Sequence, residues 1–282
     1  MTEPPPSGSD SISPTAHYTA AVWSRNGLSP PELATGFGRI SFNSARPLMA
    51  ASHALGGPTL EEFLLARHRL IDHLLERAIQ DGRVSQVLEI ACGMSPRGWR
   101  FARDHGNAID YVEADLPAMA SRKREALERA DSLGAHHRVV EIDALAASGA
   151  HAVGAIAGGL DRSRGLAVIT EGLISYLDRD GVLGLWSRIA ATLAGFADGF
   201  YLSDIHLGGE NPGPAAAAFK RALGVFVRGT VELHFDTAEE TRAALLECGF
   251  ASAELHRPLD FSGDIEVSGR GAELVRVIDA SP

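Results

Sequence analysis

Only two cysteines, Cys92 and Cys248, occur in 282 residues, too few for a disulfide framework or a cysteine-rich zinc site. Both thiols are expected to be reduced. No His-Glu-x-x-His run is present, so no metal is expected. A Gly-x-Gly-x-x-Gly fingerprint is missing, which counts against NAD or FAD. The phosphate loop Gly-x-x-x-x-Gly-Lys-Ser/Thr is missing too, which disfavours an NTPase. Ser203, Asp204 and His206 offer the residue types of a hydrolytic triad. Neighbours in one strand do not all converge, however, and there is no Gly-x-Ser-x-Gly elbow. Lysine is scarce: of 26 basic residues only Lys123 and Lys220 are lysines. No apolar run reaches membrane-spanning length, and the first residues lack the basic-then-apolar start of a secretion signal. The expectation is therefore a cytoplasmic protein with no membrane partner. A net charge of −10 argues against broad attraction to nucleic acid, leaving a small molecule as the expected partner.

What the chain does have is a hydrophobic content of 45%, enough to bury a large core in one domain of moderate size. Residues 1–15 are rich in proline, serine and glycine and nearly devoid of apolar side chains. They read as a disordered tail. Residues 16–58 read as short helices and loops broken by Gly27, Pro30, Pro31, Gly36, Gly38 and Pro47. The main domain spans 59–282. It opens on Thr59-Leu60-Glu61-Glu62, a capping box before a helix that stops near Gly82.

The organising stretch is Val87-Leu88-Glu89-Ile90-Ala91-Cys92-Gly93-Met94-Ser95-Pro96-Arg97-Gly98. An apolar run suited to a buried strand breaks at a glycine and resumes, after Pro96, at helical spacing. Strand, tight turn and helix start make a nucleotide-type pocket, since Gly93 has no Cβ and the helix start offers unpaired N–H groups. Such ligands sit beyond the carboxyl ends of strands. Alternation then continues with strands at 108–113, 138–142, 166–170 and 199–204 and helices at 117–133 and 180–193. Pro214 to Arg228 reads as an inserted helix. Thr237-x-x-Glu240 reads as a second capping box, and strands near 253–256 and 273–278 bring the count to seven. Strands alternating with helices predict an α/β fold with a parallel sheet covered on both faces.

In order along the chain stand Ala66-Arg67, Glu89-Ile90-Ala91-Cys92-Gly93-Met94, Tyr111-Val112-Glu113-Ala114-Asp115-Leu116-Pro117, Glu141-Ile142-Asp143 and Thr170-Glu171-Gly172-Leu173-Ile174-Ser175-Tyr176-Leu177. Together they resemble an S-adenosylmethionine-dependent methyltransferase of class I, and more narrowly the leucine carboxyl methyltransferase family with its polyketide O-methyltransferase relatives. The resemblance implies a Rossmann-like, mostly parallel seven-stranded sheet with its last strand antiparallel, and S-adenosylmethionine as cofactor. It places Glu89, Ala91, Gly93, Leu116 and Gly172 at the cofactor by their positions in these motifs, and implies that Arg67 holds the methionine carboxylate.

The residue chemistry suits that cofactor. Asp115 stands just past the second strand, where a carboxylate can accept both ribose hydroxyls, with Glu113 competing for the role. Asp143 and the N–H of Ala144 are placed to read the adenine edge. Glu171 complements the methionine ammonium. A departure from many methyltransferases is the turn's single glycine, which requires Ala91 and Ser95 to tolerate its geometry.

The expected activity is methyl transfer to an oxygen of a small acceptor, a carboxylate or a hydroxyl. The alternative is a SAM-binding scaffold without transfer. Only a hydroxyl acceptor needs a general base, for which His206 or His234 is available. Tyr176 is a further catalytic candidate. The acceptor pocket is expected from Tyr18, Trp23, Arg25 and Asn26 in the N-terminal segment, acting as a lid, and from Phe219, Phe226 and Arg228 in the insertion.

Overall fold

Thr59 starts the first long helix of the main domain as the capping box requires. Its hydroxyl accepts the Glu62 N–H at 3.2 Å, and Glu62 Oε2 accepts the Thr59 N–H at 3.2 Å. The computed structural model describes residues 14–34, 54, 57–210 and 232–282. Helix α1 spans Pro14–Arg25, so its first two residues fall in the stretch expected to be tail; residues 1–13 lie outside the described residues. A 3-10 turn follows at Pro31–Leu33.

The remaining helices are α2 (Leu60–Gln80), α3 (Arg97–His105), α4 (Pro117–Arg129), α5 (Val153–Ala157), α6 (Arg179–Leu193) and α7 (Ala238–Glu247). The strands are β1 (Gln86–Ile90), β2 (Asp110–Asp115), β3 (His137–Glu141), β4 (Leu166–Thr170), β5 (Gly199–Ile205), β6 (Ser252–His256) and β7 (Arg276–Ser281). They form one sheet in the order β3-β2-β1-β4-β5-β7-β6. The pairings from β3 through β5 are parallel, while β7 runs antiparallel between β5 and β6. The expected doubly covered α/β sheet with an antiparallel last strand is thus the observed one.

β1, β4 and β5 are buried along their whole length, which is why they read as continuous apolar runs rather than alternating ones. Alternate residues still serve different faces. Leu88, Ile90, Val168 and Tyr201 pack with Trp186, Ile189 and Leu245 from α6 and α7. Val87, Ala167, Ile169 and Phe200 pack with Leu70, Ile71, Leu74 and Leu75 from α2. Each leucine or isoleucine so enclosed contributes roughly 1.5–3 kcal/mol of transfer free energy.

Several boundaries differ from expectation, among them the end of α4 at Arg129 rather than 133. Gly106–Ala108 form a 3-10 turn after α3, so β2 starts and ends two residues later than expected. Glu113 therefore lies inside a strand and Asp115 at its end. The last strand is displaced by the 3-10 segment Arg270–Leu274. At α7, Thr237 accepts the Glu240 N–H at 3.1 Å, but Glu240 Oε2 accepts the N–H of Asp236, so the box closes one residue early. The expected helix 214–228, with Phe219, Phe226 and Arg228, lies outside the described residues.

Because β1 to β5 are parallel, Ile90, Asp115, Glu141, Thr170 and Ile205 end on one edge of the sheet. That edge carries the candidate site.

Candidate functional site

The turn after β1 takes an unusual backbone path. Ala91 has φ +55° and Gly93 φ +51°, a left-handed conformation that costs a residue with a Cβ roughly 1–2 kcal/mol. What holds it is Asp115 at the end of β2. Its Oδ2 accepts the Gly93 N–H at 2.7 Å and its Oδ1 accepts the Leu116 N–H at 2.8 Å. Each oxygen keeps a lone pair for a ligand hydroxyl. Burial raises the Asp115 pKa above the ordinary aspartate value, against the pull of the Gly93 and Leu116 N–H groups.

Three large apolar side chains are exposed along the same edge: Leu116 after β2 (45%), Leu145 after β3 (49%) and Tyr176 after β4 (43%). Asp143 is exposed, with Oδ1 accepting the Leu145 N–H at 2.9 Å. The N–H of Ala144 has no acceptor among the described residues.

Beside the turn lies a dense ionic network. Glu171, its side chain 5% exposed, accepts from Arg67 Nε at 3.1 Å and Arg97 Nη2 at 2.5 Å, and meets His68 Nδ1 at 2.8 Å. Burial opposes its ionisation, yet the charges of His68, Arg97 and Arg67 hold the carboxyl well below the usual range. Arg67 Nη1 also reaches Asp204 Oδ2 at 2.7 Å, and Asp204 Oδ1 accepts the Gly172 N–H at 2.6 Å. Arg97 continues the network to Asp72 (2.6 Å) and Glu89 (2.7 Å), and Arg100 pairs with Asp72. Four carboxylates, Asp72, Glu89, Glu171 and Asp204, face three guanidiniums. The His68 imidazole lies among them, against Glu171 and Asp72.

Several expected cofactor residues turn out to be enclosed. Both Glu89 oxygens are engaged, by Arg97 and by the Tyr111 hydroxyl at 2.7 Å. Glu113 is wholly buried, paired with Lys123 and hydrogen-bonded to His137 Nε2 at 2.7 Å. Its carboxylate sits beneath the turn because β2 extends past it, so the cleft-facing acid is Asp115. Glu171 is neutralised by its neighbours rather than standing free.

Tyr18 and Trp23 are core residues at 2% and 5% exposure, not open lining, whereas Arg25 is exposed. Burial and then Glu61 push the Tyr18 hydroxyl up to about 12. Trp23 lies against His68, ring centroids 4.9 Å apart, and Asn26 Nδ2 donates to Glu61 Oε1. His206 stacks on Phe63 and contacts the Leu274 carbonyl through Nδ1 at 3.0 Å. His234 Nε2 faces the Ile174 carbonyl at 3.3 Å. Ser203 bonds to Thr170 while Asp204 turns to Arg67, so these two and His206 form no triad.

Sequence reasoning missed His68, Asp72, Arg97 and Arg100. The i,i+4 spacing of His68 and Asp72, one helical turn apart, was the available signal.

A model of the leucine carboxyl methyltransferase family matches residues 33–190, more than half of the sequence. The chain belongs to that family. A Streptomyces coelicolor protein provisionally named an S-adenosyl-L-methionine-dependent methyltransferase is 32% identical over 126 residues, 45% of this chain and 43% of that protein. A similarly named protein of Mycobacterium sp. strain KMS is 33% identical over 139 residues, 49% and 44% of the two chains. The matched stretch thus spans less than half the length of these relatives.

Among solved structures, a Thermobifida fusca protein described provisionally as a methyltransferase superposes with a TM-score of 0.63 at 16% identity, covering 99% of both chains. A DUF574 family protein of Streptomyces avermitilis gives 0.59 at 15% identity, covering 95% and 96%. At such identities the likeness is one of fold.

The family's cofactor is S-adenosylmethionine, and the residues present fit it. Gly172 has φ +72°, and a Cβ there would stand 3.0 Å from Arg67 Nη2, so the main chain closes on the guanidinium without crowding it. Asp115 offers acceptors, Ala144 a donor, and Leu116 and Leu145 apolar faces.

Proposed function

We propose that this chain transfers a methyl group from S-adenosylmethionine to an oxygen, carboxylate or hydroxyl, of a small-molecule acceptor. The observation that carries the reading is the double grip of Asp115 on the N–H groups of Gly93 and Leu116, which ties the carboxylate and the glycine turn into one ligand-facing unit.

In this reading Asp115 accepts the ribose hydroxyls, and Gly93 and Ala91 lend their bare backbone to close approach. Leu116 and Leu145 flank the adenine, whose edge meets Asp143 and the Ala144 N–H. Arg67 holds the methionine carboxylate, kept in place by Glu171 and Asp204 with Gly172 packed behind it. Glu89 and Glu113 support the turn from within. When bound, the cofactor supplies a methyl on a sulfonium that departs as a neutral thioether. The chain's own work is therefore alignment, which is worth roughly 7–11 kcal/mol of barrier.

A carboxylate acceptor needs no base. For a hydroxyl acceptor, His206 is the better placed of the two histidines, since it follows β5 directly. Its Nδ1 meets the Leu274 carbonyl at 3.0 Å and its Nε2 lies 4.0 Å from Asp204 Oδ2, a carboxylate that would stabilise an imidazolium formed by taking up the hydroxyl proton. Tyr176 stands at the rim of the same edge. The N-terminal segment serves as acceptor lid, with Arg25 on its exposed side and Tyr18 and Trp23 anchoring the helix.

The test is incubation with methyl-labelled S-adenosylmethionine and cell extract, followed by mild alkali. Label released as methanol identifies a carboxylate acceptor; alkali-stable label is located by mass spectrometry, where a methyl ether identifies a hydroxyl and a methyl on nitrogen, sulfur or carbon would sink the oxygen reading. Cofactor binding without transfer to any acceptor would sink the reading in favour of a scaffold.

A further inference from the structure

Lys123 is a wholly buried ammonium in a chain that otherwise uses arginine for nearly every positive charge. It projects from α4, which follows β2, and its Nζ makes two contacts beneath the glycine turn. It donates to the carbonyl oxygen of Ser95 and pairs with Glu113 Oε2. Glu113 Oε1 is engaged by His137 Nε2, and His137 Nδ1 meets Ser132 in the loop that follows α4. Gly98 completes the enclosure: a Cβ there would lie 2.4 Å from Glu113 Oε1.

The reach of this cluster is what gives it a role. Ser95 closes the turn, its own N–H bonded to the Cys92 carbonyl at 2.9 Å. Glu113 precedes by two residues the aspartate that grips the turn from the other side. The turn is thus held at both ends, by Asp115 at Gly93 and by Lys123 at Ser95.

We propose that Lys123 is a positioning residue for the cofactor: it clamps the glycine turn through the Ser95 carbonyl and neutralises Glu113 beneath Asp115. A compact ammonium fits between a carbonyl and a carboxylate inside the core, where a planar guanidinium with five donors would leave several unsatisfied. That accounts for a lysine at this position. The charged groups facing Asp115 are Lys123 and Glu113, with Glu141 opposite it in the β3 register.

The inference rests on the turn being the cofactor's, so the test carries a readout independent of cofactor. Lys123→Met alone leaves Glu113 buried and unpaired and is expected to fold poorly. The double variant Lys123→Met/Glu113→Gln removes both charges and keeps a partner for His137. In ligand-free protein, hydrogen exchange at the amides of Cys92, Gly93 and Ser95 is expected to speed up at least tenfold, with α4 amides unchanged. By calorimetry, S-adenosylmethionine affinity is expected to fall at least tenfold. The variant Lys123→Arg/Glu113→Gln should not restore either value. Turn exchange and affinity both within twofold of wild type would overturn the clamp. Wild-type protein that fails to bind S-adenosylmethionine would overturn the proposed function, and the exchange measurement would still decide the clamp.

Discussion

Asp115 and Gly93 are 22 residues apart in sequence and joined by a 2.7 Å hydrogen bond from the Gly93 N–H to Asp115 Oδ2. The ends of two neighbouring parallel strands are thereby fixed to each other on the side where ligands of this fold sit. Asp115 shapes the turn and, in the proposed function, also receives the ribose.

Asp115→Asn keeps size and one acceptor but puts an amide donor against a backbone donor. Its S-adenosylmethionine dissociation constant, by calorimetry, should rise at least tenfold. The pH dependence follows from the raised pKa. Wild-type affinity should hold at pH 7 and fall on acidification at a pH above the ordinary aspartate value of about 3.9. The stability term has the opposite sense. A raised carboxyl pKa favours the folded state below the unfolded value and loses that contribution as pH rises through the folded one. An affinity midpoint at or below the ordinary value would remove Asp115 from the ribose role.

Glu171→Gln should destabilise the protein by about 3–5 kcal/mol, because Arg67 and Arg97 are left buried with one charge partner fewer. The gap between wild type and variant in urea unfolding carries a pH signature. The Glu171 carboxyl is depressed, so its contribution is complete above about pH 4.3 and lost as pH falls through its folded value. A gap that stays constant down to pH 3 would show that the network's charges do not hold the fold.

The fold was legible because its signals are local. Apolar runs bounded by glycine located β1, β4 and β5, and the Thr59 box located α2. Asp115 was legible from its place after the second strand, but its competitor Glu113 was not resolved, since two residues of strand length separate a cleft-facing acid from a buried one. The 3-10 turn at Gly106–Ala108 sets that length, and composition alone does not show it. The network around Glu171 joins α2, α3, β4 and β5. Its members are distant in the chain, so Arg67, Glu89 and Glu171 each read singly as a cofactor contact, and nothing local showed that they meet one another and His68, Asp72, Arg97 and Arg100.

Ala91→Gly addresses the turn's strain directly. Ala91 sits at φ +55°, where a Cβ costs about 1–2 kcal/mol, while a new glycine loses about 0.4–1 kcal/mol through the unfolded chain's greater freedom. The net expectation is a gain of about 0.5–1 kcal/mol, read as a Tm rise of roughly 1–4 °C. A fall in Tm would mean that the alanine methyl contributes more by packing than its backbone conformation costs.

Gly172→Ala tests the methionine end of the cleft without touching a charge. The residue has φ +72°, and its new Cβ would stand 3.0 Å from Arg67 Nη2 and 3.5 Å from Cζ. Backbone strain of about 1–2 kcal/mol is expected as a loss of stability. The guanidinium must also shift by a few tenths of an ångström, against its bonds to Glu171 and Asp204. If Arg67 holds the methionine carboxylate, affinity for S-adenosylmethionine and S-adenosylhomocysteine should fall about tenfold. Affinity for methylthioadenosine, which lacks the amino-acid group, should stay within twofold. Equal losses for all three ligands would place the damage in the fold rather than at Arg67, and no loss for any would remove Arg67 from the site.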